Sequence, residues 1–320
     1  MKLKNFIAIG LVAAPVSALA GSNLNGAGAT FPAPIYQRWF QDYARTSGSR
    51  VNYQSVGSGA GVRQFIAGTV DFGASDEPIK PAEAAKVKRG VVQIPMVGGT
   101  IAVAYNNPGC KLKLTQKQTV DIFAGRIKNW NQVGCAAGPM TVVHRSDGSG
   151  TTFAFTNSLD AFGGWTAGVG KSINWPTGVG SKGNEGVAGT IKNTAGAIGY
   201  VNTGFVRANK LQAAVLQNKA GKFVGPSAAT GSAALNGITL DANLAGENPN
   251  PSGVNAYPIS TLTWILAYKK GNGAKADDIR AALNYALSTK AQSIADDLGY
   301  VPFSGSVLNK ARIAVGRIGQ

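Results

Sequence analysis

Histidine, cysteine and acidic side chains are scarce in this sequence. One histidine and two cysteines stand among 320 residues. His144, Cys110 and Cys135 share no ligand-like spacing, so no metal centre and no metal cofactor are expected. Long apolar runs are also missing. The longest late stretch, Trp264–Tyr268, is strand-sized, and no apolar run after the first twenty residues is long enough to cross a bilayer as a helix. Acidic residues number 15 against 31 basic ones. That imbalance favours anionic partners. Nucleic acid is not expected, because the basic residues are scattered and form neither an arginine-rich run nor an aromatic RNA-binding pattern. A solvated basic surface without a specific partner is the alternative reading.

What is present begins with an export leader. Lys2 and Lys4 precede an apolar segment from Phe6 to Val16, and Ala18-Leu19-Ala20 forms a small-residue cleavage site. Residues 1–20 are therefore read as a signal peptide, and the absence of a cysteine after the cut excludes a lipid anchor there. An exported chain occupies a compartment that permits disulfides, which predicts a Cys110–Cys135 bridge contributing about 3 kcal/mol on the loop-closure model. Two separate buried thiols are the alternative.

The remaining 300 or so positions suffice for two lobes. Strands are expected at Leu24–Gly26, Val51–Val56, Val70–Ser75, Val91–Pro95, Gly99–Tyr105, Met140–His144, Ala197–Val201 and Ile259–Lys269. Helices are expected at Pro32–Tyr43, Gly61–Ala67, Ala82–Lys88, Thr115–Phe123, Ala274–Leu287 and Lys290–Asp297. This alternation indicates an α/β fold with mainly parallel sheets. The glycine-dense span 163–189 reads as loop with short elements, and residues 224–256 read as irregular surface loops.

Three strand–turn–helix junctions carry hydroxyls and glycines together. They are Gly26-Ala27-Gly28-Ala29-Thr30-Phe31, Gly57-Ser58-Gly59-Ala60-Gly61, and Arg145-Ser146-Asp147-Gly148-Ser149-Gly150-Thr151. A helix start presents unpaired N–H groups and a partial positive charge, a setting suited to an anion. Any one junction alone reads as ordinary capping; the repetition points to one oxyanion. Asp76, which closes the Val70–Ser75 strand, reads by itself as a turn carboxylate before Pro78. Beside an anion it would accept a hydrogen bond from a protonated oxygen, admitting hydrogenphosphate and penalising sulfate. Arg145 and Asp147 are placed to pair across their turn, which would aim the remaining guanidinium N–H groups at the ligand.

These blocks, with Val51-Asn52-Tyr53-Gln54 and Gly196–Val201, resemble the periplasmic phosphate-binding protein of the high-affinity phosphate ABC transporter, in order and spacing from Leu24 to about Tyr300. The resemblance implies a two-lobed, type II-like binding-protein fold, with residues 21–97 plus 259–320 as lobe one and 98–258 as lobe two. It implies a periplasmic, monomeric receptor that needs no cofactor, clamps inorganic phosphate between the lobes and delivers it to an inner-membrane ABC permease. The implied ligand contacts are Thr30, Phe31, Ser58, Asp76, Arg145, Asp147, Ser149, Gly150 and Thr151. The chain departs from the family's pattern at Gly59-Ala60 and at His144, where a second arginine is familiar.

Two rival readings come from the residues themselves. A phosphatase or phosphotransferase would use Ser149 or Thr151 as nucleophile, but no metal cluster or convincing base accompanies them. An envelope-adhesion role would use the basic surface. Gly168-Val169-Gly170-Lys171-Ser172 fails as a phosphate-binding loop because Trp165 stands where its first glycine belongs.

Overall fold

The computed structural model describes residues 22–319. The signal peptide expected over residues 1–20 lies outside them. The first half runs β1 (Asn23–Gly28), α1 (Ala33–Ser47), β2 (Arg50–Ser55), α2 (Ser58–Ala67), β3 (Phe72–Ser75), α3 (Pro81–Ala84) and β4 (Val91–Tyr105). The second runs β5 (Lys113–Leu114), α4 (Gln116–Phe123), a 3-10 turn at Trp130–Val133, β6 (Thr141–Arg145), α5 (Gly150–Phe162), β7 (Val179–Ser181), α6 (Gly183–Asn193) and β8 (Ala197–Asn202). It continues with α7 (Thr203–Asn209), β9 (Gln212–Ala213), β10 (Val215–Gln217), β11 (Phe223–Val224) and α8 (Ala228–Leu235). The chain then returns through β12 (Ser260–Tyr268), α9 (Lys275–Ala286), α10 (Thr289–Ser293) and α11 (Gly305–Val315).

Local sequence explains the first helix. Pro34 falls in its first turn, where a missing N–H costs little, and Gly48 closes it in the left-handed conformation at φ 73°. Its buried residues Ile35, Tyr36, Trp39, Phe40 and Tyr43 form one stripe at helical spacing. That stripe packs on the β1–β3 region, where the Tyr36 and Phe40 rings meet Tyr53 and Phe72.

Nine strands form one sheet in the order β2-β1-β3-β12-β4-β8-β6-β7, with β9 also on β4, and a separate three-stranded sheet has the order β11-β10-β5. Pairing is parallel among β1, β2 and β3 and among β6, β7 and β8. The expected parallel character thus holds in the outer strands. The central strands run against it: β12 is antiparallel to β3 and β4, and β4 to β8. β4 is shared. Residues Val91–Thr100 pair with β12, and Ile101–Tyr105 pair with β8.

The Val91–Pro95 and Gly99–Tyr105 strands are one continuous strand. Pro95 is accommodated because the register shifts opposite Thr263 and Trp264, a bulge that tolerates a residue without N–H. The helix expected at Ala82–Lys88 stops at Ala84, and the one expected at Lys290–Asp297 spans Thr289–Ser293. The span 163–189, read as loop with short elements, holds the short β7 and the start of α6, and the span 224–256, read as irregular, holds α8. Glycine density masked α6: Gly183, Gly186 and Gly189 lower its helix propensity, yet Val187, Ala188 and Ile191 bury a stripe against the sheet.

Cys110 and Cys135 form the expected disulfide, with Cα atoms 5.4 Å apart. It ties the segment after β4 to the turn that buries Trp130. Replacing both cysteines by serine is expected to lower unfolding stability by about 3 kcal/mol. Urea unfolding measures this, and an unchanged midpoint and slope would contradict the structural role.

Candidate functional site

The three glycine–hydroxyl junctions converge. Thr30 and Phe31 follow β1, Ser58 opens α2, and Ser149, Gly150 and Thr151 form the start of α5. Asp76 follows β3, and Arg145 ends β6. The N–H groups of Thr30, Phe31, Ser58 and Thr151 find no protein acceptor among the described residues. They are the orphan donors of their turns and helix starts, on segments that Ser58, Asp76, Thr151 and Asn184 link to one another by hydrogen bonds.

Close backbone approach needs glycine at two places. Gly57 sits at φ 91°, and a Cβ there would lie 2.2 Å from Asp147 Oδ2. A Cβ on Gly150 would lie 2.7 Å from both the Asp76 nitrogen and Ser58 Oγ. The two halves meet over the site. The Gly59 N–H donates to the Gly148 carbonyl at 2.8 Å, and Ser55 Oγ donates to Glu185 Oε1 at 2.8 Å. Lys171 adds an ion pair to Glu77 at 2.8 Å and another to Glu83 at 3.1 Å. As a result Thr30, Ser58, Asp76, Arg145, Ser149 and Thr151 are all buried.

The hydroxyls are arranged by what they accept. Ser58 Oγ receives the Gly150 N–H at 3.0 Å and the Asp76 N–H at 3.3 Å. Thr30 Oγ1 receives two donors from Asn184, its N–H at 3.0 Å and Nδ2 at 2.8 Å. Both oxygens therefore have their lone pairs occupied, and their hydrogens are left to donate. Ser149 Oγ caps α5 by accepting the Thr152 N–H at 3.0 Å. Thr151 Oγ1 donates to Asp76 Oδ2 at 3.1 Å, while Thr263 Oγ1 donates to Asp76 Oδ1 at 2.8 Å.

Arg145 and Asp147 form the expected pair. Nε and Nη2 reach the two carboxylate oxygens at 2.7 and 2.5 Å, a fork-on-fork geometry. Asp147 also accepts the Gly183 N–H at 3.0 Å. Burial alone would raise its pKa, but the bonds and charge of Arg145 outweigh that and hold it below the usual carboxylate value. The Nη1 group of Arg145 is buried and has no hydrogen-bond partner among the described residues. A buried, unsatisfied guanidinium N–H is costly, and its natural complement is an oxyanion.

Asp76 behaves oppositely. Complete burial pushes its pKa up to about 7, although Thr263, the Arg145 charge and Thr151 each oppose the rise. Near neutrality this carboxyl is poised between accepting and donating.

The family model for the PBP superfamily domain matches residues 13–290. The phosphate-binding protein PstS of Haemophilus influenzae is 39% identical, the alignment covering 97% of this chain and 96% of that protein. The PstS of Pasteurella multocida is 40% identical, over 90% of this chain and 88% of its own length. The chain belongs to the PstS family of phosphate-binding proteins. Solved structures agree in fold. A high-affinity periplasmic phosphate-binding protein solved with phosphate superposes with a TM-score of 0.77 at 22% identity, covering 91% of this chain and 93% of that one. A phosphate-binding protein from Stenotrophomonas maltophilia gives 0.73 at 19% identity, covering 92% and 94%. The two-lobed α/β architecture of this family is the fold seen here.

All nine residues expected at the site come together, but not all in the same way. The Phe31 ring turns into the core, edge-on to Tyr300 at 5.9 Å, so only its N–H faces the site. Residues that the sequence reasoning missed are Asn184, Thr263 and Tyr200. The Tyr200 hydroxyl accepts the Arg145 N–H at 3.1 Å and shares a 2.6 Å hydrogen bond with Thr152. Tyr200 falls in the Gly196–Val201 block, yet no local signature marks it as a support of the arginine. His144 lies beside the site rather than in it, stacked on Trp175 at 5.0 Å.

A raised carboxyl pKa has a stability consequence. Between its unfolded value of 3.8 and about 7, the folded ligand-free protein holds a proton on Asp76 that the unfolded chain releases. This group's contribution is therefore fully favourable below 3.8 and declines as pH rises through about 7. Asp76→Asn is expected to stabilise the ligand-free protein at about pH 8 by a few kcal/mol, with a smaller gain at about pH 5. Urea unfolding at both values measures the difference, and equal effects at the two would contradict the assignment.

Proposed function

We propose that this protein is a periplasmic receptor that binds one inorganic phosphate between its lobes and delivers it, as a monomer, to the permease of an inner-membrane ABC importer. The observation that carries the reading is Arg145 Nη1, buried and unpartnered, where four orphan N–H groups and two committed hydroxyl donors also gather. Thr30, Phe31, Ser58, Asp76, Arg145, Ser149 and Thr151 would contact the ion, Asp147 would hold Arg145, and Gly150 would line the site while its N–H orients the Ser58 hydroxyl. The names of its relatives agree with this ligand. Residues 21–97 with 259–320 would form one lobe and 98–258 the other. The switch of β4 from β12 to β8 after Thr100 supports a crossing close to 97–99, with the return near Pro258.

Selectivity would come from Asp76. Each carboxylate oxygen already accepts one threonine hydroxyl, and lone pairs remain for an O–H donor on the ligand. Hydrogenphosphate supplies one; sulfate at neutral pH does not. Closure would dry the site, strengthening each hydrogen bond, and the closed form would be the one the permease recognises.

The family is one of binding receptors rather than enzymes. Here Ser149 caps a helix through its hydroxyl oxygen, a structural duty that a nucleophile does not need.

Isothermal titration of phosphate-stripped protein is expected to give tight one-to-one phosphate binding. Arg145→Ala should weaken it by more than about tenfold, since a charge-assisted contact and the partner of Asp147 are lost together. An unchanged dissociation constant would overturn the role of Arg145. No phosphate heat in folded wild-type protein would overturn the receptor reading.

A further inference from the structure

We propose that Asn184 is a positioning residue for the oxyanion: by filling both acceptor sites of Thr30 Oγ1 from the opposite side of the cleft, it forces the Thr30 hydroxyl to be a donor toward the ligand. The inference rests on the phosphate reading above and deepens it.

The orientation of the Asn184 amide is determined by its surroundings. Its oxygen accepts the Asn202 backbone N–H at 2.9 Å, a group that can only donate. The amide nitrogen must then face the other way. There it meets Thr30 Oγ1 at 2.8 Å and Thr151 Oγ1 at 3.3 Å, one hydrogen to each. The Asn184 backbone N–H adds a second bond to Thr30 Oγ1 at 3.0 Å. Asn184 is completely buried, so water does not compete for these groups.

The consequence is a fixed direction of donation. Thr30 Oγ1 has two lone pairs and receives two donors. Its own hydrogen finds no acceptor among the described residues, because Thr30 Oγ1 appears in them only as acceptor. Thr151 is committed differently: it accepts from Asn184 and gives its hydrogen to Asp76. One amide thus assigns unlike roles to two threonines, making Thr30 a ligand donor and Thr151 the keeper of the Asp76 carboxylate. A hydroxyl free to rotate would lose part of its advantage as an anion donor, since it could turn its lone pairs to the ligand instead.

The bonds also link orientation to closure. Thr30 follows β1, whereas Asn184 lies in the first turn of α6, on the other half of the molecule. Its neighbours brace the same place: the Gly183 N–H holds Asp147, and Glu185 accepts from Ser55. The Thr30 hydroxyl is therefore aligned only when the halves meet.

A double-mutant cycle tests this, with inorganic phosphate as the probe and titration calorimetry as the readout. Asn184→Ala is expected to weaken phosphate binding by about tenfold in the wild-type background and by less than about threefold in Thr30→Val, because the hydroxyl it directs is already gone. Equal losses in both backgrounds would show a merely structural role and overturn the inference. Asn184→Asp offers a second check, since it preserves the side chain's size and the acceptor for Asn202 while losing both amide donors. It should bind phosphate at least tenfold more weakly, and unchanged binding would overturn the proposal. Wild-type protein that binds no phosphate would instead remove the reading on which the inference rests, a result the cycle distinguishes from equal losses.

Discussion

The buried guanidinium of Arg145 is the constraint on which the site depends. Taking an arginine out of water is costly unless its charge and its N–H groups are matched. Asp147 matches the charge and two of the N–H groups, and Nη1 is left over. The pair is formally neutral. With Asp76 nearby, the side chains around the site sum to no net positive charge whenever that carboxyl is ionised. An anion entering here cannot be held by a simple excess of lysine and arginine. Its charge must be met by oriented N–H and O–H dipoles, which act well only in a dry, preorganised cleft.

That requirement explains why the fold brings chain turns so close. Helix starts at α2 and α5 and the turn before α1 each contribute N–H groups, and each must approach within hydrogen-bond reach of one point. Gly57 and Gly150 make that approach possible, since any side chain there would strike Asp147, Ser58 or Asp76. The same closeness creates the links that seal the cleft, from Gly59 to Gly148 and from Ser58 to Gly150. Ser58 and Asn184 share a logic, in that each spans the two halves while setting the direction of a hydroxyl or N–H group. Packing behind the site is aromatic, with Phe155 and Tyr200 stacked at 4.2 Å, and Tyr200 carries the support outward to the Arg145 backbone.

Much of this was legible because it is local. A hydroxyl next to glycine at the end of a β-branched strand specifies a turn, a cap and orphan donors within a few residues, whatever the rest of the fold does. Thr30, Ser58 and the Arg145–Thr151 stretch carry that signature, and the Arg145–Asp147 pair needs only a two-residue turn. Asn184 and Thr263 lack such a signature. Thr263 is one of nine consecutive buried residues of β12, and its reach to Asp76 depends on the register of that strand against β3 and β4. Asn184 lies in the first turn of a glycine-rich helix that propensity reads as loop, and its meaning depends on Thr30, 154 residues away, together with Thr151 and Asn202, 33 and 18 residues away. The continuous β4 was hidden for a similar reason, since Pro95 lies beside a bulge in β4 itself, where Met96 is the extra residue between the partners of Thr263 and Trp264.

The central claim is that a buried carboxylate selects an oxyanion that carries a hydrogen. The most direct measurement is the sulfate affinity of Asp76→Asn against that of the wild type, by titration well above the Asp76 pKa of about 7, where the wild-type carboxyl is ionised and can only accept. Asparagine places a donor where only an acceptor stood, so the account predicts measurable sulfate binding in the variant and none in the wild type. Sulfate excluded equally by both proteins would contradict it.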